Sequence, residues 1–388
     1  MKISSWPAYT EKEISAVNKV IKSNKVNYWT GDEGKKFESE FADYFGTKYA
    51  VAVANGTLAL ELALHSIDIK EGDEVIVTPR SYVASASCIQ RFNAKPVFVD
   101  VDLDTQNMKI DEIKDNISKK TKAIICVHLA GWPCNMDEIM KIARKEKIRV
   151  IEDCSQAHGA KYKGKYVGSI GDIGTFSFCN DKIISTLGEG GMIITNSKSL
   201  WRKCWEYKDH GRNWELSNKI SINNKFKWII NSFGSNYRLT EAQSKIGRIQ
   251  LKQLQKFVLK RKINAERIRT ICDKYSFIRK VSVPKDIVHA FYRYYIFIEP
   301  SKIKKGWSRG KIISEINSYN VPCFEGACPE IYLEKAFYLK KIKPNKKLLN
   351  AKKLGKTSIA FLVNHNIKKN EINYLCKVVE KVFNEVEK

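Results

Sequence analysis

Short runs of Val, Ile, Ala and Cys recur between amphipathic stretches in the first half of the chain. The runs YAVAVAN from Tyr49, DEVIVTP (73–79), KPVFVDVD (95–102), AIICVHL (123–129) and RVIEDC (149–154) are almost continuously apolar, as strands buried on both faces of a parallel sheet are. Between them lie stretches with helical spacing: LALELALHSI with Leu58, Leu62 and Ile67 turned inward, a segment from Ala84 to Phe92, and Met136 to Lys145. Strand and helix in alternation predict an α/β fold, a large unit whose mostly parallel central sheet is flanked by helices. Upstream, Ile14, Val17, Val20 and Ile21 fall at helical intervals behind Thr10 and Glu13, which have the spacing of a capping box. A polar turn over Thr30 to Gly34 then leads into a second helix, Lys35 to Phe45.

Past the strand MIITN the pattern loosens. A helical stretch carrying Trp201 and Trp205 is followed by a polar loop, Asp209 to Phe233, and loops of that length are usually functional or mobile. SNYRLTEAQSKIGRIQLKQL returns to helical spacing that persists to Lys274, long enough to join two units. Beyond it come a strand in FYRYYIFIE, a helix Ser308 to Tyr319, a loop Val321 to Pro329, a strand in SIAFLVN and an amphipathic helix Lys369 to Glu387. These predict a smaller α+β unit. At 388 residues the chain exceeds what one core usually holds, and the expected division is residues 1–254 and 255–388.

Composition narrows the class. No run approaches a membrane span, and the N-terminal MKISSWPAYTEKEI lacks the apolar core of a secretory signal, so a cytoplasmic protein without membrane insertion is expected. Ten cysteines without a C-x-x-C pair fit reduced thiols. Cys126, His128, Cys134, Cys154 and His158 could be read as metal ligands, but their irregular spacing in apolar strands argues for no metal. The formal net charge is +26, from 68 Lys and Arg against 42 Asp and Glu. The basic residues are interleaved with acids along the whole chain, which reads as a solvated surface and not as a nucleic-acid arm.

Chemistry concentrates in TFSFCNDKIISTLGEGG, residues 175–191. Alternating Phe176, Ser177 and Phe178 give strand spacing, a single lysine, Lys182, sits in a short polar turn, and a glycine-rich run closes the segment. An amine held by backbone geometry suits covalent catalysis, in which lysine forms a Schiff base with a cofactor such as pyridoxal phosphate. Ligands of such sheets lie at the carboxyl ends of the strands, and the other candidates fall there. Gly56 and Thr57 open a helix whose N-terminus suits an anion, or they form an ordinary capped turn. Asp153 ends a strand and suits a pyridinium nitrogen, or an ordinary salt bridge. Gln156 is within reach of a phenolic oxygen or is a surface residue. Tyr82 offers a face for a flat ring or packs in the core, and Ser177 offers a hydroxyl to a phosphate or points outward. His158 and His210 serve as acid, base or sugar contact, or are structural.

Taken together, NGTLALELAL, KPVFVDVD, EDCSQAHGA, FSFCNDK with GEGGMI, and SNYRLTEAQSKIGRIQL resemble, in order and spacing, the DegT/StrS group of sugar aminotransferases, pyridoxal phosphate enzymes of the aspartate-aminotransferase fold. The resemblance spans nearly the whole chain. It implies that Lys182 is the Schiff-base lysine, that Asp153 contacts the pyridine nitrogen and Gln156 the phenolic oxygen, and that Gly56, Thr57 and Ser177 hold the phosphate. It further implies that Tyr82 stacks on the ring and that Asn236 reaches the cofactor of a neighbouring subunit, in a homodimer with shared active sites.

The implied substrates are L-glutamate and a nucleotide-linked keto-sugar, and HLAGWPC resembles a branch found in surface-polysaccharide pathways. The chain departs from the group at Arg80, Cys179 and Asn180, positions at which it could touch substrate. A keto-deoxysugar 3-dehydratase of the same fold carries histidine in place of the lysine, so Lys182 argues against it. A cofactor-binding regulator without turnover has only the basic charge in its favour.

Overall fold

The computed structural model describes residue 1, residues 3–218 and residues 229–387. Its centre is a seven-stranded sheet of β1 (Tyr49–Val53), β2 (Glu74–Val77), β3 (Lys95–Phe98), β4 (Thr121–Val127), β5 (Arg149–Asp153), β6 (Ile173–Ser177) and β7 (Gly191–Thr195), in the order β1-β7-β6-β5-β4-β2-β3. The run from β6 to β3 is parallel, and β7 is antiparallel to both its neighbours. Two antiparallel steps restore direction, so β1 ends on the same edge of the sheet as β2, β4, β5 and β6.

Side chains alternate across a strand, and here both sets are buried. Ala50, Ala52, Ile76, Ile124 and Val150 enter one core with Phe37, Phe41 and Phe45 of α2 (Glu33–Phe45). Val51, Val53, Val75, Val77, Ile125 and Ile151 enter the opposite core with α3 (Gly56–Ser66) and α4 (Ala84–Gln90). Helices on both faces therefore account for the continuously apolar strands. Helix α3 carries more than one inward stripe. Leu62 is buried as expected, Leu58 and Ile67 are only half-buried, and Ala59, Leu60, Ala63 and Leu64 are buried as well. The reason is that α3 packs against α4, the sheet and a later helix, Lys198–Lys208, at once.

The first helix, α1 (Glu11–Lys22), begins on the predicted capping box: Glu13 N–H donates to Thr10 Oγ1 (3.4 Å), and Thr10 N–H donates to Glu13 Oε2 (2.7 Å). Its apolar stripe is not a core face, however. Val20 is buried, whereas Ile14 and Ile21 remain 44% and 56% exposed. The Asp209 to Phe233 loop holds a short helix, Trp214–Asn218, and residues 219–228 of it lie outside the described residues.

The expected single helix to Lys274 is two, Glu241–Leu251 and Leu254–Cys272, broken at Lys252 and Gln253. The second begins in the core shared with α2, through Leu254 and Val258, and ends in a third core through Ala265, Ile268 and Cys272. That third core lies under a four-stranded antiparallel sheet: Ile278–Arg279, Tyr294–Ile298, Ser358–Phe361 and Cys323–Phe324, in that order. The last strand falls inside the segment read from sequence as loop. The C-terminal helix, Lys369–Val386, buries Ile372, Leu375, Val379, Val382 and Phe383 against this sheet at the spacing of an amphipathic helix. No helix among the described residues is long and apolar enough to cross a membrane.

Candidate active site

The carboxyl edge of the large sheet opens into a cleft of about 530 Å³. Gly56, Thr57, Tyr82, Asp153, Gln156, Ser177 and Lys182 all line it, although they come from five separate strand ends and turns. Asn236 does not. It is exposed, bridged to Asp209, and its Oδ1 accepts the Arg238 N–H at 3.5 Å. A smaller cavity of about 180 Å³, between the large and small sheets and lined by Arg269, Arg279 and His289, contains none of the predicted residues.

The lysine turn is fixed from several sides. Phe178 N–H donates to Gly190 O (2.7 Å) and Thr186 N–H to Phe178 O (3.1 Å), which closes the loop on itself. Ser185 N–H donates to Gln250 Oε1 (2.9 Å). Trp6 Nε1–H donates to the carbonyl of Lys182 itself (2.6 Å), while its ring packs against Phe257 and His365. Trp6 lies 176 residues away in sequence, and nothing in the pattern around it announces the contact. Trp6→Phe keeps an aromatic ring and removes the hydrogen bond. It is expected to cost about 1 kcal/mol in urea unfolding.

The Lys182 side chain is only 14% exposed, and its amine lies 3.1 Å from Asp181 Oδ1 and 5.1 Å from the centre of the Tyr292 ring. Burial works against its charge, but Tyr292 and Asp181 outweigh burial and hold the amine above its ordinary pKa.

Alternation along β5 separates two adjacent acids. Glu152 points into the protein, where it accepts from the N–H groups of Gly168 (2.9 Å), Ile170 (2.8 Å) and Gly171 (2.6 Å) and pairs with His128 Nε2 (3.0 Å). His128 Nδ1 accepts the Cys134 N–H (2.9 Å), so the Nε2 proton faces Glu152. His128, Glu152 and Cys154 bring potential ligand atoms within 4.8 Å of one another. Both ring nitrogens are nevertheless engaged, and burial pushes the Cys154 thiol up to about 12. The group braces β5.

Asp153 points the other way, into the cleft. Its Oδ2 accepts from Ser85 Oγ (2.8 Å) and its Oδ1 from Ser155 N–H (3.1 Å). It is 4% exposed, and among the described residues no cationic side chain lies within ion-pair distance of it. A carboxylate this buried ordinarily has a cation partner.

On the far side of the cleft Asn55 caps α3, its Oδ1 accepting the Leu58 N–H at 3.0 Å. The N–H groups of Gly56 and Thr57, the first of the helix, have no acceptor within it. Gly56 lies so close to Ser177 that a Cβ there would stand 2.5 Å from the serine Cβ and 3.0 Å from its Oγ. Gln156 Oε1 is occupied by the Ala130 N–H (2.8 Å), which leaves its amide N–H groups to face the cleft. Tyr82 is 68% exposed at the rim.

Other candidates lie elsewhere. Neither ring nitrogen of His158 has a hydrogen-bond partner, and burial depresses its pKa to about 3, so it packs as a neutral ring against Phe176 and Phe178. His210 is exposed, outside the cleft, with its N–H on Ser235 O. Arg80 is wholly buried and ties the end of β2 to the C-terminal part through Gln106 (3.0 Å), Ala327 O (3.3 Å) and Ser358 (3.1 Å). Its guanidinium is thus fully engaged away from the cleft, which it does not line. Cys179 does line the cleft.

The sequence description of the DegT/DnrJ/EryC1/StrS aminotransferase family matches residues 7–380. The chain belongs to this family. It is similar to GDP-perosamine synthase of Escherichia coli, 40% identical over 289 residues, 74% of this chain and 75% of that protein. A solved aminotransferase from Psychrobacter cryohalolentis is 47% identical and superposes with a TM-score of 0.97 over 99% of both chains. The E. coli GDP-4-keto-6-deoxy-D-mannose-3-dehydratase with bound hydrated PLP is 27% identical, with a TM-score of 0.86 over 98% of this chain and all of that one.

The aminotransferase uses pyridoxal 5′-phosphate, and the cleft fits that group. It offers an amine for the aldehyde, an unpaired buried carboxylate for a protonated ring nitrogen, and a helix N-terminus beside Ser177 for the phosphate. Gly56→Ala would fill the gap against Ser177. The variant is expected to weaken cofactor binding about tenfold, measured by titrating the cofactor-free protein, since forcing a methyl into a packed site costs about 1–3 kcal/mol.

Proposed function

We propose that the chain transfers an amino group from L-glutamate to the keto carbon of a nucleotide-linked sugar, in the biosynthesis of a surface polysaccharide such as an O-antigen or capsule. One observation carries the reading: Lys182, the unpaired Asp153 and the open N-terminus of α3 face one cleft. Bound there, pyridoxal phosphate supplies an electron sink for the α-carbon of the amino donor. Lys182 serves as covalent anchor and, when free, moves a proton between donor carbon and cofactor. Asp153 keeps the ring nitrogen protonated by supplying the opposite charge. Gln156 donates an amide N–H to the phenolic oxygen. Gly56, Thr57 and Ser177 donate to the phosphate, and Tyr82 covers the ring from the rim.

Asn236, outside its own cleft, serves the cofactor of a second copy in a cytoplasmic homodimer. The exposed Ile14 and Ile21 and the exposed Tyr82 suit burial by such a partner. In this reading residues 1–254 form the cofactor unit and 255–388 the smaller unit that shapes the sugar end, joined through the helix Leu254–Cys272. Lys182 favours amino transfer over 3-dehydration, and a complete catalytic cleft favours turnover over a purely regulatory role.

The test is to supply L-glutamate with a panel of nucleotide-linked keto-sugars. Formation of an amino sugar and an equal amount of 2-oxoglutarate supports the reading. Loss of water from the sugar without consumption of glutamate would replace it with the dehydratase.

A further inference from the structure

Over one stretch the basic residues do not interleave with acids. From Lys335 to Lys356 the chain carries nine lysines, no arginine and no acid, against a net charge of +26 for all 388 residues. The same stretch and its approach hold apolar side chains that stand in water. Leu333, Tyr338, Leu339 and Leu349 are 64%, 74%, 67% and 65% exposed.

Packing fixes which side of this segment faces out. Phe337 meets Phe98 of β3, an edge strand of the large sheet, at 5.8 Å between ring centres, and Leu348, Ala351 and Leu354 are buried in the same core. Asp100 accepts the N–H groups of Asn350 and Ala351 (2.9 Å each) and so caps the helix Leu349–Thr357. With Ala351 and Leu354 inward, Leu349, Lys352, Lys353 and Lys356 share the outer face at helical spacing. Acids border the segment without neutralising it. Lys346 pairs with Glu112 (3.0 Å) and feels Asp115, Glu334 precedes the first lysine, and Asp100 is occupied by its cap. Among the described residues no carboxylate lies within ion-pair distance of the other eight lysines.

Lysines three and four apart on one helix face repel each other, so this surface suits a partner of opposite charge. A second copy of the chain has the wrong sign, being itself strongly positive. Nucleic acid would match the lysines but leave the leucines without a counterpart, since such interfaces are polar. An anionic bilayer surface matches both, with lysines at the phosphates and the leucines and tyrosine in the headgroup layer.

We propose that residues 333–356 form a docking surface for a membrane bearing anionic phospholipid headgroups. The chain binds at the bilayer surface, and none of its described helices crosses. The proposal is independent of the chemistry assigned to the cleft.

The experiment mixes the whole protein with vesicles of phosphatidylcholine, alone or containing phosphatidylglycerol, at about 0.15 M salt, where screening leaves only close charge contacts, and reads the bound fraction by co-sedimentation. Binding is expected to the anionic vesicles only. A lysine at such a surface strengthens binding about fivefold, so replacing Lys352, Lys353 and Lys356 together by Gln is expected to weaken it about a hundredfold. Replacing Lys12, Lys19 and Lys22 of α1 by Gln removes the same charge elsewhere and is expected to change it by less than about threefold. Thermal melting checks folding, and a second triple, Lys340, Lys341 and Lys343 to Gln, repeats the test on the neighbouring turn. Equal binding to both vesicle types, or to neither, would overturn the inference. So would equal losses from the α1 triple and the surface triples, which would assign the attraction to net charge. Tighter binding of duplex DNA than of anionic vesicles, lost in the surface triples, would overturn it in favour of nucleic acid.

Discussion

Lys182→Ala lowers amino transfer by about 10⁴-fold or more while leaving the protein folded. A positioned acid/base group contributes about 10²–10⁴-fold on its own, and here the same side chain is also the covalent anchor, so both contributions vanish together. Folding survives because the backbone of the turn is held by Trp6, Gln250 and the Phe178–Gly190 hydrogen bonds and not by the amine. Asp181, the partner left behind, is 47% exposed and can be solvated. Steady-state turnover with glutamate, alongside circular dichroism of the variant, checks both halves of the expectation.

Asp153→Asn has the second largest effect and a different signature. Removing one member of a buried charge pair costs about 3–5 kcal/mol, which corresponds to a loss of about 10²–10⁴-fold in rate if the pair with the ring nitrogen matters most as charge develops on the ring. Cofactor should still bind through the amine and the phosphate cradle. Without cofactor the sign reverses. Wild type then buries a carboxylate that has hydrogen bonds from Ser85 and Ser155 but no cation, so the cofactor-free asparagine variant is expected to melt no lower than wild type. An aspartate placed for stability would give the opposite result, a lower melting temperature with little change in turnover.

Much of this was legible in the sequence where chemistry and local pattern coincide. The Val and Ile runs marked the strands because helices cover both faces, and the rule that sites lie at strand carboxyl ends gathered Gly56, Tyr82, Asp153 and Ser177 before any coordinates. Of the two acids in RVIED, Asp153 is the one expected at the site from sequence, and the structure adds that Glu152 points to the opposite face, into the protein.

What pattern could not supply was contact between distant segments. Trp6 reaches Lys182 and Tyr292 reaches Asp181 only through the tertiary fold, and no spacing rule connects them. Ile14 and Ile21 have helical periodicity yet face solvent in the single chain, because periodicity reports an apolar face and not what covers it. Arg80, where the chain departs from the group's usual residue, reads from sequence as a position that could touch substrate. It is instead wholly buried, its guanidinium bonded to Gln106, Ala327 and Ser358.

The most direct test of the central claim is the absorption spectrum of the protein reconstituted with pyridoxal phosphate, before and after L-glutamate, with Lys182→Ala in parallel. The account predicts a visible band in wild type that moves into the near ultraviolet on adding glutamate, and no glutamate-driven turnover in the variant. A wild-type protein that stays colourless, or an alanine variant that turns over with glutamate as wild type does, would contradict it.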